Sequence, residues 1–170
     1  IGDLLDVSRL GAGRLKLELV PVDLGLLVAQ IVQRQKEATP DHAIELDVQG
    51  PIPRVPADAT RVEQVLGNLL SNAVKYGAPT TAIRVGVVAH GDEVEVSVTN
   101  EGKGIPPEER ERVFSRYYRS ESARSSAVPG LGLGLYVSRE LIRAHSGRMW
   151  VASTPGQTTT FSFTLPALRS

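Results

Sequence analysis

No cysteine occurs in the 170 residues, which excludes a disulfide framework and any thiolate metal site and suits a reducing compartment. No apolar run approaches the roughly 20 residues needed to span a bilayer, and no secretory signal pattern is visible. Neither charge is in excess. With 19 basic side chains against 19 acidic ones, no overall field favours nucleic acid or an anionic membrane as the main partner. A charged small ligand needs only local charge. No internal repeat is visible, and the length suits one ordinary domain with a sizeable core and a short appended segment. The chain opens at Ile1 in what its pattern reads as mid-helix, so we read it as a piece of something longer.

Hydrophobic periodicity orders the rest. Residues 1–13 put Ile1, Leu4, Leu5 and Ser8 on one side, with Leu10 trailing, and close on glycines as a helix end does. "LKLEL" (15–19) alternates as a strand, and Asp23 is placed to cap a helix through about Glu37 carrying Leu24, Leu27, Val28 and Ile31. "AIELDV" (43–48) reads as a strand followed by a proline-punctuated loop. A helix from Asp58 to about Tyr76 has Val62, Val65, Leu66, Leu69, Leu70 and Ala73 as its apolar stripe, and Gly77 ends it. Residues 82–100 read as a hairpin turning at His90-Gly91-Asp92, 133–147 as a helix ended by Ser146-Gly147, and 148–153 with 159–166 as a final strand pair. Strands and helices mix without strict alternation. The fold class is therefore α+β, a two-layer α/β sandwich in which a mixed five-stranded sheet is covered on one face by about three helices.

Two features ask for a ligand. "NLLSNAVKYG" (68–77) ends an otherwise apolar helix with Asn68 and Asn72 four residues apart, hence on one side. An irregular stretch, 101–132, is bracketed by two glycine clusters, "NEGKGI" (100–105) and "GLGLGL" (130–135). A segment of this length in a compact domain is usually a lid or binding loop. The second cluster opens directly into a helix, where backbone N–H groups and the positive helix end favour phosphate.

Taken in order, these segments resemble the nucleotide-binding domain of sensor histidine kinases, within the superfamily that includes gyrase and MutL ATPases. "NLLSNAVKY" resembles the N box, "NEGKGI" the first glycine box, "VFSRYYR" (113–119) the F box, "GLGLGL" the second glycine box and "GQTTTF" (156–161) the third. The resemblance covers about 23–166 and implies ATP and magnesium as cofactors. It assigns residues 1–20 to the end of the dimerisation and phosphoacceptor helix with its linker, and 21–170 to the ATP-binding catalytic domain.

The resemblance also implies roles. Asn72 binds magnesium with Asn68 beside it, and Lys75 brings a cation near the phosphates; these three are the catalytic set. Magnesium prefers oxygen ligands, and neutral amide oxygens suit a site where the triphosphate already brings negative charge. Tyr76 lies against the adenine. Nucleotide contacts are further implied for Asn100, Gly102, Gly104, Ile105, Arg116, Tyr118, Arg119, Gly130, Leu131, Gly132, Leu133, Gly134, Leu135 and Thr159, and 120–129 has the composition of a mobile ATP lid.

The sequence departs from the family pattern twice. Asn100 stands where an aspartate usually accepts from the exocyclic amine of adenine, and it lacks the charge that roughly doubles such a bond. Thr158 replaces a glycine and stiffens a turn. None of His42, His90 and His145 lies in a sequence resembling the acceptor box, and each reads as a surface or helix-end residue. The implied function is transfer of the γ-phosphate of Mg-ATP to a histidine on the adjacent dimerisation domain of a homodimeric parent, with a response regulator as partner. The domain would lie in the cytoplasm without touching a membrane itself, and no nucleic acid is expected. Two alternatives are a nucleotide-binding regulatory module without transfer and a serine kinase of the anti-sigma-factor type.

Overall fold

Two aspartates start the two long helices. The Asp23 carboxylate accepts from the N–H of Leu26 at 3.1 Å at the head of α2 (Leu24–Ala38), and that of Asp58 accepts from Arg61 at 3.4 Å at the head of α3 (Ala59–Tyr76). The computed structural model describes residues 2–116, 133–154 and 156–168. Before these helices come α1 (Gly2–Gly11) and β1 (Val20–Val22), and between them lie β2 (Ile44–Gln49) and β3 (Val55–Ala57). After them follow β4 (Ile83–His90), β5 (Glu93–Glu101), two 3-10 turns over 107–109 and 112–114, α4 (Gly134–Ala144), β6 (Arg148–Thr154) and β7 (Thr158–Pro166).

The expected sheet is present, with strands in the order β2, β4, β5, β7, β6. Its β2–β4 pair is parallel and the other neighbours are antiparallel. Period-two alternation sends Val94, Val96 and Val98 to the helical side, opposite Leu165, Phe163 and Phe161 of β7. The α3 stripe read from the sequence is the set of buried residues on that helix, and it closes the core over those strands. One end of this inward face changes character: the next pair in register is Asn100 with Thr159, beside Ser153 of β6, and both Asn100 and Thr159 are buried.

One expectation is corrected. Residues 15–19 form no strand; the strand is the next one, β1, and it pairs with β3 inside the stretch expected to be a loop. Pro21 sits opposite Pro56, a position where neither nitrogen is called on to donate, so valines flanking the prolines can pair where a proline count argues for a loop. In α1, Leu4 and Leu5 are exposed, while Asp6 is 5% exposed and faces α3. At the far end of α4 the chain turns through Ser146 at φ 64, and Gly147 follows because a Cβ there would run into the Thr164 carbonyl.

Candidate nucleotide site

The C-terminus of α3 is fastened to the end of β5 by close backbone approach. Gly77 bridges Gly102, and the N–H of Ala78 donates to the Glu101 carbonyl at 2.7 Å. A Cβ on Gly102 would lie 2.8 Å from the Tyr76 carbonyl oxygen, and one on Gly77 would lie 2.5 Å from that of Ala73. Both positions therefore require glycine for space. Tyr76, expected to cover the base, is 41% exposed at this junction.

Asn68 ties α3 to the first turn of α4. Its Nδ2 donates to the Gly134 carbonyl at 3.4 Å and to Ser138 Oγ at 3.1 Å. Unlike α2 and α3, which aspartates cap, α4 begins at Leu133 without a side-chain cap among the described residues, and like them it has no acidic residue in its first turn. Among the described residues no side chain takes its leading N–H groups, and a helix start of this kind favours phosphate. Leu133 is 2% exposed and Leu135 half-buried, so these two leucines of the glycine box anchor the helix start in the core. No described residue hydrogen-bonds the half-buried side chain of Asn72, one turn beyond Asn68, and Lys75 projects outward from the last turn.

The polar end of the sheet is wired through Ser153. The N–H of Ile105 donates to Ser153 Oγ at 2.8 Å, and the Ser153 hydroxyl donates to the Thr158 carbonyl at 2.8 Å. With that proton used, the 3.1 Å contact between Ser153 Oγ and Thr159 Oγ1 has Thr159 as donor. Thr159 therefore presents lone pairs to its surroundings. Gly104, at φ 74, turns the chain into Ile105. Asn100, 8% exposed, makes only a long bond from Nδ2 to the Glu101 carbonyl, 3.4 Å, among the described residues.

The F-box segment is held by Phe114, which meets Phe161 edge to face at 6.0 Å and carries the Arg139 guanidinium at 4.6 Å from its ring. Arg139 also pairs with Glu111 at 3.2 Å, and Arg110 donates to the Ser153 carbonyl. Arg116 lies 5.7 Å from the Tyr136 ring. Of the residues read from the sequence, Tyr118, Arg119, Gly130, Leu131 and Gly132 lie outside the described residues, as does the 120–129 segment. Sequence reasoning missed Ser138, Ser153 and Arg139. Ser153 carried a signal, a serine at the inward position after Met149 and Val151; Arg139 carried none.

Residues 57–169 match the family described as Histidine kinase-, DNA gyrase B-, and HSP90-like ATPase. The chain belongs to this ATPase family. Among its relatives, the sensor-like histidine kinase SenX3 of Mycobacterium tuberculosis is 38% identical over 170 residues, 99% of this chain and 41% of SenX3. The adaptive-response sensory kinase SasA of Crocosphaera subtropica is 36% identical over 172 residues, 99% of this chain and 44% of SasA. The chain thus spans about two-fifths of these relatives. Full-length ShkA in complex with AMPPNP superposes with a TM-score of 0.87 at 30% identity, over 99% of this chain and 35% of ShkA. The nucleotide-free catalytic domain of histidine kinase ThkA gives 0.76 at 27% identity, over 89% of this chain and 97% of that domain. Among the described residues of this ATPase-family member no helix is long and apolar enough to cross a membrane.

Proposed function

We propose that this chain binds Mg-ATP and serves as the catalytic part of a sensor histidine kinase, donating the γ-phosphoryl group to a histidine on the helical domain of its parent. The observation that carries the reading is the lashing of the uncapped α4 start to the asparagine-bearing helix by Asn68. This arrangement offers backbone donors to phosphate next to amide oxygens. Asn72 and Asn68 supply neutral oxygen donors for magnesium, and no cluster of three or more acidic, histidine or cysteine side chains competes for an ion among the described residues. When bound, magnesium would neutralise charge on the phosphates. Lys75 in the last turn of α3 and Arg116 of the F-box segment would bring cations to the phosphates, and Asn100 with Thr159 would receive the base.

In the transfer, a ring nitrogen of the acceptor histidine forms the bond to the γ-phosphorus as the bond to the ADP oxygen breaks. The acceptor would come from outside this domain. His145 is ill suited, being buried with both ring nitrogens engaged. Residues 1–20 would be the end of the dimerisation helix and its linker, the parent a homodimer, its partner a response regulator, and the domain cytoplasmic. Relatives named sensor kinases and the helical leader support this over a serine kinase. Asn100 favours a second reading, a nucleotide-binding module without transfer. The test is calorimetric titration of ATP with and without magnesium against the chain and its Asn72→Ala variant, followed by transfer to a supplied acceptor-helix domain. Magnesium-dependent binding lost in the variant, with transfer by the wild type, supports the kinase; tight binding without transfer supports the module. Absence of binding by the wild type refutes both.

A further inference from the structure

The buried polar end of the sheet is built without charge. Asn100, Thr159 and Ser153 form one cross-strand row on the helical side, continuing the apolar rows of Val98, Phe161 and Val151. Among the described residues no carboxylate hydrogen-bonds any of the three. Glu101, the neighbouring acid, alternates to the opposite face of β5. A carboxylate in such a row can only accept, and it would repel a ligand carbonyl placed against it. An amide has one end that accepts and one that donates.

We infer that this pocket takes 6-oxopurine nucleoside triphosphates as well as adenine nucleotides, with Asn100 as the residue that sets this breadth. The inference rests on the nucleotide-binding reading above. Adenine offers a donor at its exocyclic amine and an acceptor at N1, which match the oxygen and the nitrogen of one primary amide. Hypoxanthine and guanine reverse the order, with an acceptor at O6 and a donor at N1–H, and the same amide matches them after turning over. Among the described residues, turning over gives up only the 3.4 Å contact from Nδ2 to the Glu101 carbonyl, at the long edge of hydrogen bonding, and sets Oδ1 toward that carbonyl at the same long distance. Thr159, whose proton is committed to Ser153, presents lone pairs. Adenine's second amine hydrogen can meet them, whereas hypoxanthine, whose one donor on this edge goes to the amide, leaves them unmet at the cost of about one neutral hydrogen bond. Because the amide pairs with both edges, the two bases differ by that one contact and not by a whole edge left unpaired, which is what makes a polar pocket reject a near-isostere.

The probes are ATP and inosine triphosphate, which differ at the purine edge without the added 2-amino group of guanine. Each is titrated calorimetrically with magnesium into the wild-type chain and into Asn100→Asp. In the wild type the two affinities are expected to lie within about 30-fold of each other. In Asn100→Asp the ratio of the ATP affinity to the inosine triphosphate affinity is expected to rise tenfold or more, about the worth of one charge-sensitive hydrogen bond. ATP bound with inosine triphosphate weaker by more than that range in the wild type overturns the inference and leaves the ATP reading standing, as does an unchanged ratio in the variant. Failure of the wild type to bind either triphosphate overturns the ATP reading and this inference together.

Discussion

Nε2 of His145, in the last turn region of α4, accepts a hydrogen bond from the backbone N–H of Asp58 at 3.1 Å, while its Nδ1 lies 2.7 Å from the Leu141 carbonyl. The two partners fix the ring as the neutral tautomer with its proton on Nδ1. The contact joins the C-terminal end of α4 to the N-cap of α3, and Asn68, midway along α3, holds the first turn of α4. The shorter helix α4 is thus pinned to α3 at both of its ends, by an asparagine at one and a buried imidazole at the other.

Replacing His145 with alanine leaves the Asp58 N–H and the Leu141 carbonyl without their imidazole partner and opens a cavity. The expected loss is about 1–3 kcal/mol of stability. Urea denaturation should show a lower midpoint with an unchanged slope, and a midpoint within error of the wild type would show that the ring contributes nothing to the pinning.

The contact between α1 and α3 is a polar cluster. Arg61 donates to one oxygen of Asp6 at 3.0 Å, Gln64 donates to the other at 2.7 Å, and Arg61 also reaches Gln64 at 2.9 Å. The Asp6 and Arg61 side chains are only 7% and 18% exposed, so water screens them poorly. A double-mutant cycle on Asp6→Ala and Arg61→Ala should give a coupling of about 1–2 kcal/mol. The same cycle on the exposed Arg143 and Glu140 pair on α4 should give about 0.5 kcal/mol or less. Equal couplings would mean that burial of Asp6 does not strengthen its pair.

Two glycines predict opposite signs. Gly67 lies mid-helix in α3, and a Cβ there would meet nothing within 4 Å, so Gly67→Ala removes backbone freedom from the unfolded chain and should stabilise by about 0.5–1 kcal/mol. Gly102→Ala drives a methyl against the Tyr76 carbonyl. It should destabilise by about 1–3 kcal/mol and weaken ATP binding at least tenfold as the α3 end parts from β5. Thermal melts and titrations of both variants check the pair of signs.

The long helices and the five strands were legible because their information is local: a cap, a stripe, an alternation, a turn glycine. The α3 stripe and both aspartate caps could be read directly. What escaped depends on partners distant in sequence. β1 and β3 pair across 33 or more residues with prolines opposed, which no local pattern announces. Asp6 is buried because Arg61 and Gln64, 55 and 58 residues away, complete it. Likewise the glycine boxes could be named from sequence, while the side chains that connect them, Ser153 and Ser138, emerged only from the register and from helix packing.

Ser153 gives the last test, because one hydroxyl connects three pieces of the site. It accepts from Ile105 at the end of the first glycine box, donates to the Thr158 carbonyl in the third, and orients the Thr159 hydroxyl. Ser153→Ala leaves a half-buried N–H and a carbonyl unpaired and releases Thr159 to rotate, so it should cost about 1–3 kcal/mol of stability and weaken nucleotide binding about tenfold. A control lies on the opposite face of the same sheet, where Thr99 and Thr160 share a hydroxyl hydrogen bond of 2.8 Å. Thr160→Val removes that bond away from the ligand side and should lower the urea midpoint with ATP affinity unchanged. If both variants lose stability and neither loses affinity, Ser153 only braces the strand, and the order it imposes on Thr159 has no bearing on the base.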